Sequence, residues 1–200
     1  MLYAILVACA TAIALAVTEL LANAALPGVL PKSSYPVFAV PCIASFVVLL
    51  PYRGSWVGAE METAILCGSL ASLTVVDLRS GYIPNLALLP LLALAIFHVA
   101  RSGDIFTGML GALLVGGIAL TLHVLGKGTT FGLGDVKLLG LLGIILGAAR
   151  SVTLLGDAFI IGAAVGLALL AFGRASRRDA LPFVPMLGLA FLWQAATHAL

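Results

Sequence analysis

The sequence predicts an all-α, polytopic integral membrane helical bundle, and three observations lead to this fold class. The mean hydropathy is +1.22, charged residues are only 9% of the 200 residues, and apolar segments of roughly membrane-spanning length recur along the whole chain. An average soluble domain has about 25% charged residues, so a soluble fold could not remove this much apolar surface from water. A bilayer accommodates that surface, and helices satisfy their own backbone polar groups there.

Eight apolar segments are candidate transmembrane helices, since a span needs about 20 mostly apolar residues. In chain order they are Leu2–Ala25, Pro36–Leu50, Met61–Val76, Leu86–Ala100, Ile105–Leu125, Val136–Ala148, Val152–Phe172 and Leu181–Ala199. Proline, glycine and charged residues mark the breaks between them. No Lys or Arg precedes the first segment, so we interpret it as a retained helix rather than a signal peptide.

The loop charges predict the orientation of the bundle. One alternating set of loops holds most of the basic residues, namely Lys32, Arg79, Lys127, Lys137, Arg174, Arg177 and Arg178. The other set holds Arg53, Arg101 and Arg150. The positive-inside rule places the richer set in the cytoplasm, which predicts a multi-pass protein of the cytoplasmic membrane in contact with the lipid bilayer. The chain has no long basic run, so no nucleic acid partner is expected.

Residues typical of metal, serine or disulfide chemistry are isolated in this sequence. Cys9, Cys42 and Cys67 form no CxxC pair, and neither His98 nor His123 has a second ligand at helical spacing. There is no HExxH or GxSxG motif. We therefore predict no metal and no cofactor.

The many glycines of the apolar segments are expected to allow close helix packing, as small residues do in membrane helices. The glycines concerned are Gly108, Gly111, Gly116, Gly117, Gly140, Gly143, Gly147, Gly162 and Gly166. We assign them to structure rather than to chemistry.

Two acidic residues at span ends are the candidates for catalysis, because a carboxylate within a membrane costs about 2.5–3.5 kcal/mol at a helix centre. Asp77 closes the third span and Asp135 opens the sixth, so the topology predicts both at the same membrane face. Two carboxylates at one depth can share a proton and activate water, as in aspartyl proteases. The helix dipoles favour an ionised Asp135 and a protonated Asp77. From the spacing alone, a flexible loop ending in an ordinary N-cap Asp remains an alternative.

Three motifs resemble one family. The segment Gly132–Leu138, with the sequence GLGDVKL, resembles the GxGDxKL signature of type IV prepilin peptidases, which belong to the GxGD class of intramembrane aspartyl proteases. Asp77, followed by Ile83–Asn85 (IPN), resembles the family's other aspartate and its Pro-Asn segment. Leu181–Pro185 (LPFVP) is similar to the Pro-Phe-x-Pro element that opens the last helix of the family.

The resemblance implies a membrane-embedded aspartyl endopeptidase with Asp77 and Asp135 as its catalytic pair. It would remove short basic leaders from prepilin or pseudopilin precursors at the cytoplasmic face, without a cofactor. Lys137 would steady a carboxylate or the substrate backbone. The other residues implied to bind substrate or to shape loops are Gly132, Gly134, Pro84, Asn85, Pro182 and Phe183.

The resemblance also implies a division of the chain. Residues 61–200 correspond to a six-helix protease core, and residues 1–60 would add two N-terminal transmembrane helices of unassigned role. Larger family members carry a cytoplasmic insert with paired CxxC motifs and also methylate the new amino terminus. The corresponding loop here is short and has no cysteine, so the compact, peptidase-only form is expected.

Three other functions compete with this interpretation. A small proton- or cation-coupled transporter could use the same two aspartates, although no internal repeat is evident. An inactive scaffold subunit of a pilus or secretion complex is another alternative. A protease of the presenilin or signal peptide peptidase type would carry Tyr-Asp and Pro-Ala-Leu, whereas this chain has Val76-Asp77 and Leu181–Phe183.

Overall fold

In a computed structural model, residues 16, 57–128, 131–173 and 181–197 are described, and all regular structure among them is helical. The helices are α1 (Val57–Ser80), α2 (Leu89–Ser102), α3 (Ile105–Leu125), α4 (Leu133–Ala171) and α5 (Val184–Thr197). A 3-10 turn, Asn85–Leu88, precedes α2, and a π-helical turn, Ala112–Gly116, interrupts α3. Apart from Ala16, the predicted spans Leu2–Ala25 and Pro36–Leu50 lie outside the described residues, so the total of eight helices stays a prediction.

Four of these helical segments are long and apolar enough to cross a membrane: Glu62–Ser80, Asn85–Ser102, Ile105–Leu125 and Leu133–Ala171. The described part is therefore an all-helical protein of membrane character, as the composition predicts. Helix α5, with 14 residues, is shorter.

Helix α4 reverses its direction at Gly147. Its 39 residues would extend about 58 Å if they were straight, roughly twice the thickness of a hydrocarbon core. Gly147 instead has φ 74° and ψ 176°, a conformation that glycine adopts without a steric penalty. Phe131, before the helix, and Phe159, well beyond Gly147, have ring centroids only 6.2 Å apart. Residues 133–146 and 148–171 are therefore two arms that fold back on each other.

Glycines bring α3 and the first arm of α4 into backbone contact. A Cβ on Gly108 would lie 2.8 Å from the carbonyl oxygen of Ile144, and one on Gly111 would overlap the carbonyl oxygen of Gly143. The predicted close packing is correct at these positions. Among the described residues, a Cβ on Gly117 or Gly140 would meet nothing within 4 Å, so this part of the structure gives no steric reason for glycine at those two positions.

Helix α5 packs antiparallel to α1 and close to the second arm of α4. A Cβ on Gly188 would lie 3.3 Å from Thr74 Oγ1 on α1. On the other side, Gln194 Nε2 donates to Asp157 Oδ2 at 2.8 Å.

The bundle has two ends that differ in chemistry. The end of α1 and the beginnings of α4 and α5 form one end, which we call the aspartate end because it holds Asp77 and Asp135. The beginning of α1, the end of α2 and the beginning of α3 form the other, which we call the Glu62 end.

Candidate functional site at the aspartate end

Asp77 is held by a helix that lies far away in the sequence. It sits one turn before the end of α1 with a relative exposure of 7%, and its Oδ2 accepts the backbone N–H of Val184 at 3.1 Å. Val184 is the first residue of α5, whose initial N–H groups have no partner within the helix. The positive end of the α5 dipole therefore faces Asp77 and opposes the unfavourable end of α1, a contribution absent from the sequence argument.

Asp135 is held by its own loop. Its Oδ2 accepts the backbone N–H of Gly132 at 3.1 Å. The sequence places Asp135 where the helix begins, as a possible N-cap. The structure has Gly132 at the N-cap and Asp135 as the third residue of α4, so the side chain reaches back to the N-cap residue instead of being it. Asp135 is partly exposed, whereas Asp77 is buried.

The two aspartates come from separate helices, and the residues that precede their backbone donors, Phe131 and Phe183, have ring centroids only 4.7 Å apart. The structure thus brings together at one end of the bundle the two acidic residues that the topology predicts on one face. Two neighbouring carboxylates that each accept a backbone N–H form an arrangement that can share a proton and polarise water.

The loop after α1 packs directly on the first turn of α4. A Cβ on Gly134 would lie 2.8 Å from Ile83 Cβ and 3.2 Å from its carbonyl oxygen, so only glycine allows this contact. The neighbouring Pro84 is buried. A Cβ on Gly132 would stand 3.3 Å from Asp135 Oδ2. These contacts give a physical reason for glycine at both positions beside Asp135.

Lys137 binds an amide rather than a carboxylate. Its Nζ donates to Asn85 Oδ1 at 2.8 Å, and both side chains are exposed. Both residues line an apolar cleft of about 480 Å³ between α2, α3 and the first arm of α4. The remaining lining residues are Leu88, Leu89, Leu92, Ala112, Gly140, Leu141 and Ile144.

Three phenylalanines form an aromatic cluster beside the aspartates. The ring centroids of Phe131 and Phe183 are 4.7 Å apart, those of Phe159 and Phe183 are 5.7 Å apart, and those of Phe131 and Phe159 are 6.2 Å apart. Phe183 follows Pro182, and both are partly buried. The sequence singles out Pro182 and Phe183, but it gives no signal for Phe131 or Phe159, because a single Phe in an apolar chain is unremarkable.

His123 is a further residue that the sequence does not mark. Its Nδ1 lies 2.6 Å from the carbonyl oxygen of Phe131, so the ring donates a hydrogen bond from the last turn of α3 to the loop before Asp135. A lone histidine has no spacing signal, and only the fold shows this contact.

At the opposite end of the bundle, the buried carboxylate of Glu62 binds two basic side chains. Glu62 Oε2 lies 2.8 Å from His98 Nδ1, and Glu62 Oε1 accepts Arg101 Nε at 2.8 Å. This cluster ties α1 to α2 and was also not expected from the sequence. Within 57–128, 131–173 and 181–197, no three His, Cys, Asp or Glu side chains group as a metal site.

Comparison with known proteins gives matches over the same region. The sequence model of the type IV leader peptidase family matches residues 64–167, which is slightly more than half of the chain. The matched region includes both aspartates. Two curated proteins named prepilin leader peptidase/N-methyltransferase, from Burkholderia pseudomallei strains 1026b and K96243, are each 34% identical over 136 residues. The match covers 65% of this chain but only 44% of each relative. No solved structure gives a significant match.

Proposed function

The chain belongs to the type IV leader peptidase family, and from this premise we propose that it is a membrane-embedded aspartyl endopeptidase that cleaves prepilin-like precursors. The observation that carries the proposal is that Asp77 and Asp135, from two helices, lie at one end of the bundle, each accepting the backbone N–H that follows a phenylalanine, with the two rings 4.7 Å apart. The relatives' printed names include the leader peptidase activity. Their second printed activity, N-methylation, is not part of the proposal because the CxxC insert is absent from the sequence.

The proposed mechanism uses the two carboxylates in different states. One carboxylate is ionised and withdraws a proton from a water molecule, and the other is protonated and polarises the scissile carbonyl. We assign the ionised role to Asp135, which is the more exposed and stands in the first turn of its helix, and the protonated role to the buried Asp77. The pair titrates as a unit, so its apparent pKa values belong to both residues.

The cytoplasmic face is the proposed place of cleavage. Arg79 and Lys127 flank the aspartate end, and the basic residues Arg174, Arg177 and Arg178 also follow the second arm of α4 in the sequence. The positive-inside rule assigns such an end to the cytoplasm. The substrates would be pilin or pseudopilin precursors with short basic leaders and an apolar stem in the same bilayer.

The test is co-expression with candidate prepilins, with cleavage followed by mass spectrometry of the new amino terminus. The wild-type chain should cleave, and Asp77→Asn and Asp135→Asn should each lose on the order of 10²–10⁴-fold in rate, as expected when a general acid or base is removed. Glu62→Gln is the matched control, since it alters a buried carboxylate on the same helix but at the other end.

Cleavage that survives either aspartate substitution contradicts the mechanism. If no prepilin is cut while the purified protein drives proton flux in vesicles, and the flux depends on both aspartates, the transporter alternative replaces the proposal.

A further inference from the structure

The two aspartates are bound in the same way, each by the peptide unit that follows a phenylalanine. The Phe131–Gly132 peptide donates its N–H to Asp135, and the Phe183–Val184 peptide donates its N–H to Asp77, both at 3.1 Å. The rings of the two phenylalanines are in contact, with centroids 4.7 Å apart and planes inclined at 55°. The side-chain contact therefore joins the two backbone groups that hold the carboxylates.

We propose that Phe131 and Phe183 are positioning residues whose ring contact holds the two aspartate-binding peptide units, and through them the two carboxylates, at a fixed separation. The geometric part of this inference stands by itself. Its catalytic consequence rests on the proposed function.

Each peptide unit is also held on its carbonyl side. The carbonyl oxygen of Phe131 accepts from His123 Nδ1 at 2.6 Å. The carbonyl oxygen of Phe183 accepts from the backbone N–H groups of Met186 and Leu187 at 3.0 and 3.1 Å. With both faces of each peptide occupied, neither unit can rotate freely. The remaining freedom is a displacement of one unit relative to the other, and the ring contact opposes that displacement.

Burial of Phe131 and the proline before Phe183 limit the movement of the two rings. Phe131 is only 6% exposed, so its ring cannot leave the cluster without opening a cavity. Pro182 precedes Phe183 and restricts the backbone there. Aromatic pairs at this separation stabilise beyond their buried area.

Phe159 provides a matched control within the same cluster. Its ring contacts both others, with centroids at 5.7 and 6.2 Å, and it is 39% exposed. It stands in the middle of the second arm of α4, and the peptide that follows it binds neither aspartate. Replacing it removes an aromatic ring without altering either aspartate-binding unit.

The activity test compares Phe131→Leu, Phe183→Leu, their double variant and Phe159→Leu in the reconstituted full chain. Leucine keeps an apolar side chain, and thermal unfolding is recorded for every variant. We expect kcat for prepilin cleavage to fall about three- to tenfold in each single variant, with little change in KM. The double variant should be no slower than the worse single one, because both remove the same contact. Phe159→Leu should retain the wild-type kcat.

A geometric test works without any substrate. Both aspartates are kept, and cysteines are placed at the exposed positions 133 and 181, which flank the two peptide units, in a chain whose Cys9, Cys42 and Cys67 are alanine; the two cysteines are joined by a short bismaleimide. We expect the cross-linking yield to fall when Phe131→Leu or Phe183→Leu is added and to stay unchanged with Phe159→Leu.

The inference is overturned if the kcat losses of Phe131→Leu and Phe183→Leu add fully, if Phe159→Leu is equally slow, or if cross-linking is indifferent to all three. A wild-type chain that cuts no prepilin rejects the proposed function. The cross-linking result then still decides the positioning role.

Discussion

Helix α1 carries a buried carboxylate near each end, and the two have opposite surroundings. Glu62 is 6% exposed, and its carboxylate accepts hydrogen bonds from the side chains of His98 and Arg101. Asp77 is 7% exposed, receives the backbone N–H of Val184 and faces a second carboxylate. No salt bridge to Asp77 is found in the described part of the chain. Removing a cationic partner from a buried carboxylate is costly, so the first arrangement is typical of structure and the second of chemistry.

The packing of α3 against the first arm of α4 also differs between the two ends of the bundle. Near the Glu62 end, α3 and the first arm of α4 touch backbone to backbone at Gly108 and Gly111. Farther along, a Cβ on Gly116 would stand 3.4 Å from Gly140 Cα, and the 480 Å³ cleft reaches from there to Asn85 and Lys137. Among the described residues, α3 and α4 are thus in backbone contact near the Glu62 end, and a cleft separates them nearer to Asn85 and Lys137.

The largest effect on stability is expected from Gly111→Ala. Its new Cβ would overlap the carbonyl oxygen of Gly143, which is backbone and cannot move aside. Overpacking of this kind costs about 1–3 kcal/mol, and more where the obstacle is rigid. Gly140→Ala is the control and should be neutral or slightly stabilising, because no described residue lies within 4 Å of its Cβ. Unfolding in detergent measures the stability of both variants. Equal stability would contradict the close packing of α3 against α4 at Gly111.

Glu62→Gln should destabilise the protein by about 1–2 kcal/mol, since hydrogen bonds to charged groups contribute about 1.5–3 kcal/mol. The Arg101 side chain is 40% exposed, so solvent screening reduces its part. Prepilin cleavage by this variant, assayed below its unfolding temperature, should remain at the wild-type level. A loss of cleavage in a folded variant would remove the distinction between the two ends.

The effect of Asp77→Asn on stability should be opposite to that of Glu62→Gln, so this variant should have a higher unfolding temperature than the wild type. The amide oxygen can still accept the N–H of Val184, and the uncharged amide resembles the protonated state proposed for Asp77 without requiring two neighbouring carboxyl groups to share a proton. Active-site groups are commonly kept at a cost in stability, so we expect a small rise in the unfolding temperature. Asp157→Asn, at a carboxylate that binds Gln194, is the control and should bring no such gain. A less stable Asp77→Asn protein would mean that Asp77 is structural, like Glu62.

The smallest effect concerns Asp104, at the Glu62 end. The hydroxyl and the backbone N–H of Thr107 hydrogen-bond to Asp104 and hold the pKa of its carboxyl below the usual range. Because the folded-state pKa is the lower one, the stabilisation is present at neutral pH and is lost as the pH falls through that folded value. Asp104→Asn should therefore be less stable than the wild type at neutral pH, and the difference should vanish in acid. A difference that is the same at every pH would contradict this.

The sequence predicts the described helices well because the constraint of the bilayer is local. Ile105–Leu125 has the predicted bounds, and the two arms of α4 correspond to two predicted spans. The break between the arms was expected around Arg150 and lies at Gly147, since the chain reverses there without a polar loop. Residues 1–56 remain a prediction, apart from Ala16.

The candidate site was predictable only in part. Asp77 and Asp135 were found because an acidic residue at the end of an apolar span is unusual. The backbone N–H groups that bind these aspartates could not be predicted. Phe131 and His123 carry no sequence signal at all. These contacts depend on tertiary packing, and the one between Asp77 and Val184 joins residues 107 positions apart.

That long separation has a consequence for biosynthesis. A nascent chain leaving the ribosome presents Asp77 to the translocon before Val184, 107 positions later, has been made. Until α5 inserts, the Asp77 carboxylate lacks the donor that fixes it, and the Phe131 ring lacks its partner. Under the proposed function, a truncated or half-inserted product is proteolytically silent, so unfinished molecules pose no hazard to other proteins of the same membrane.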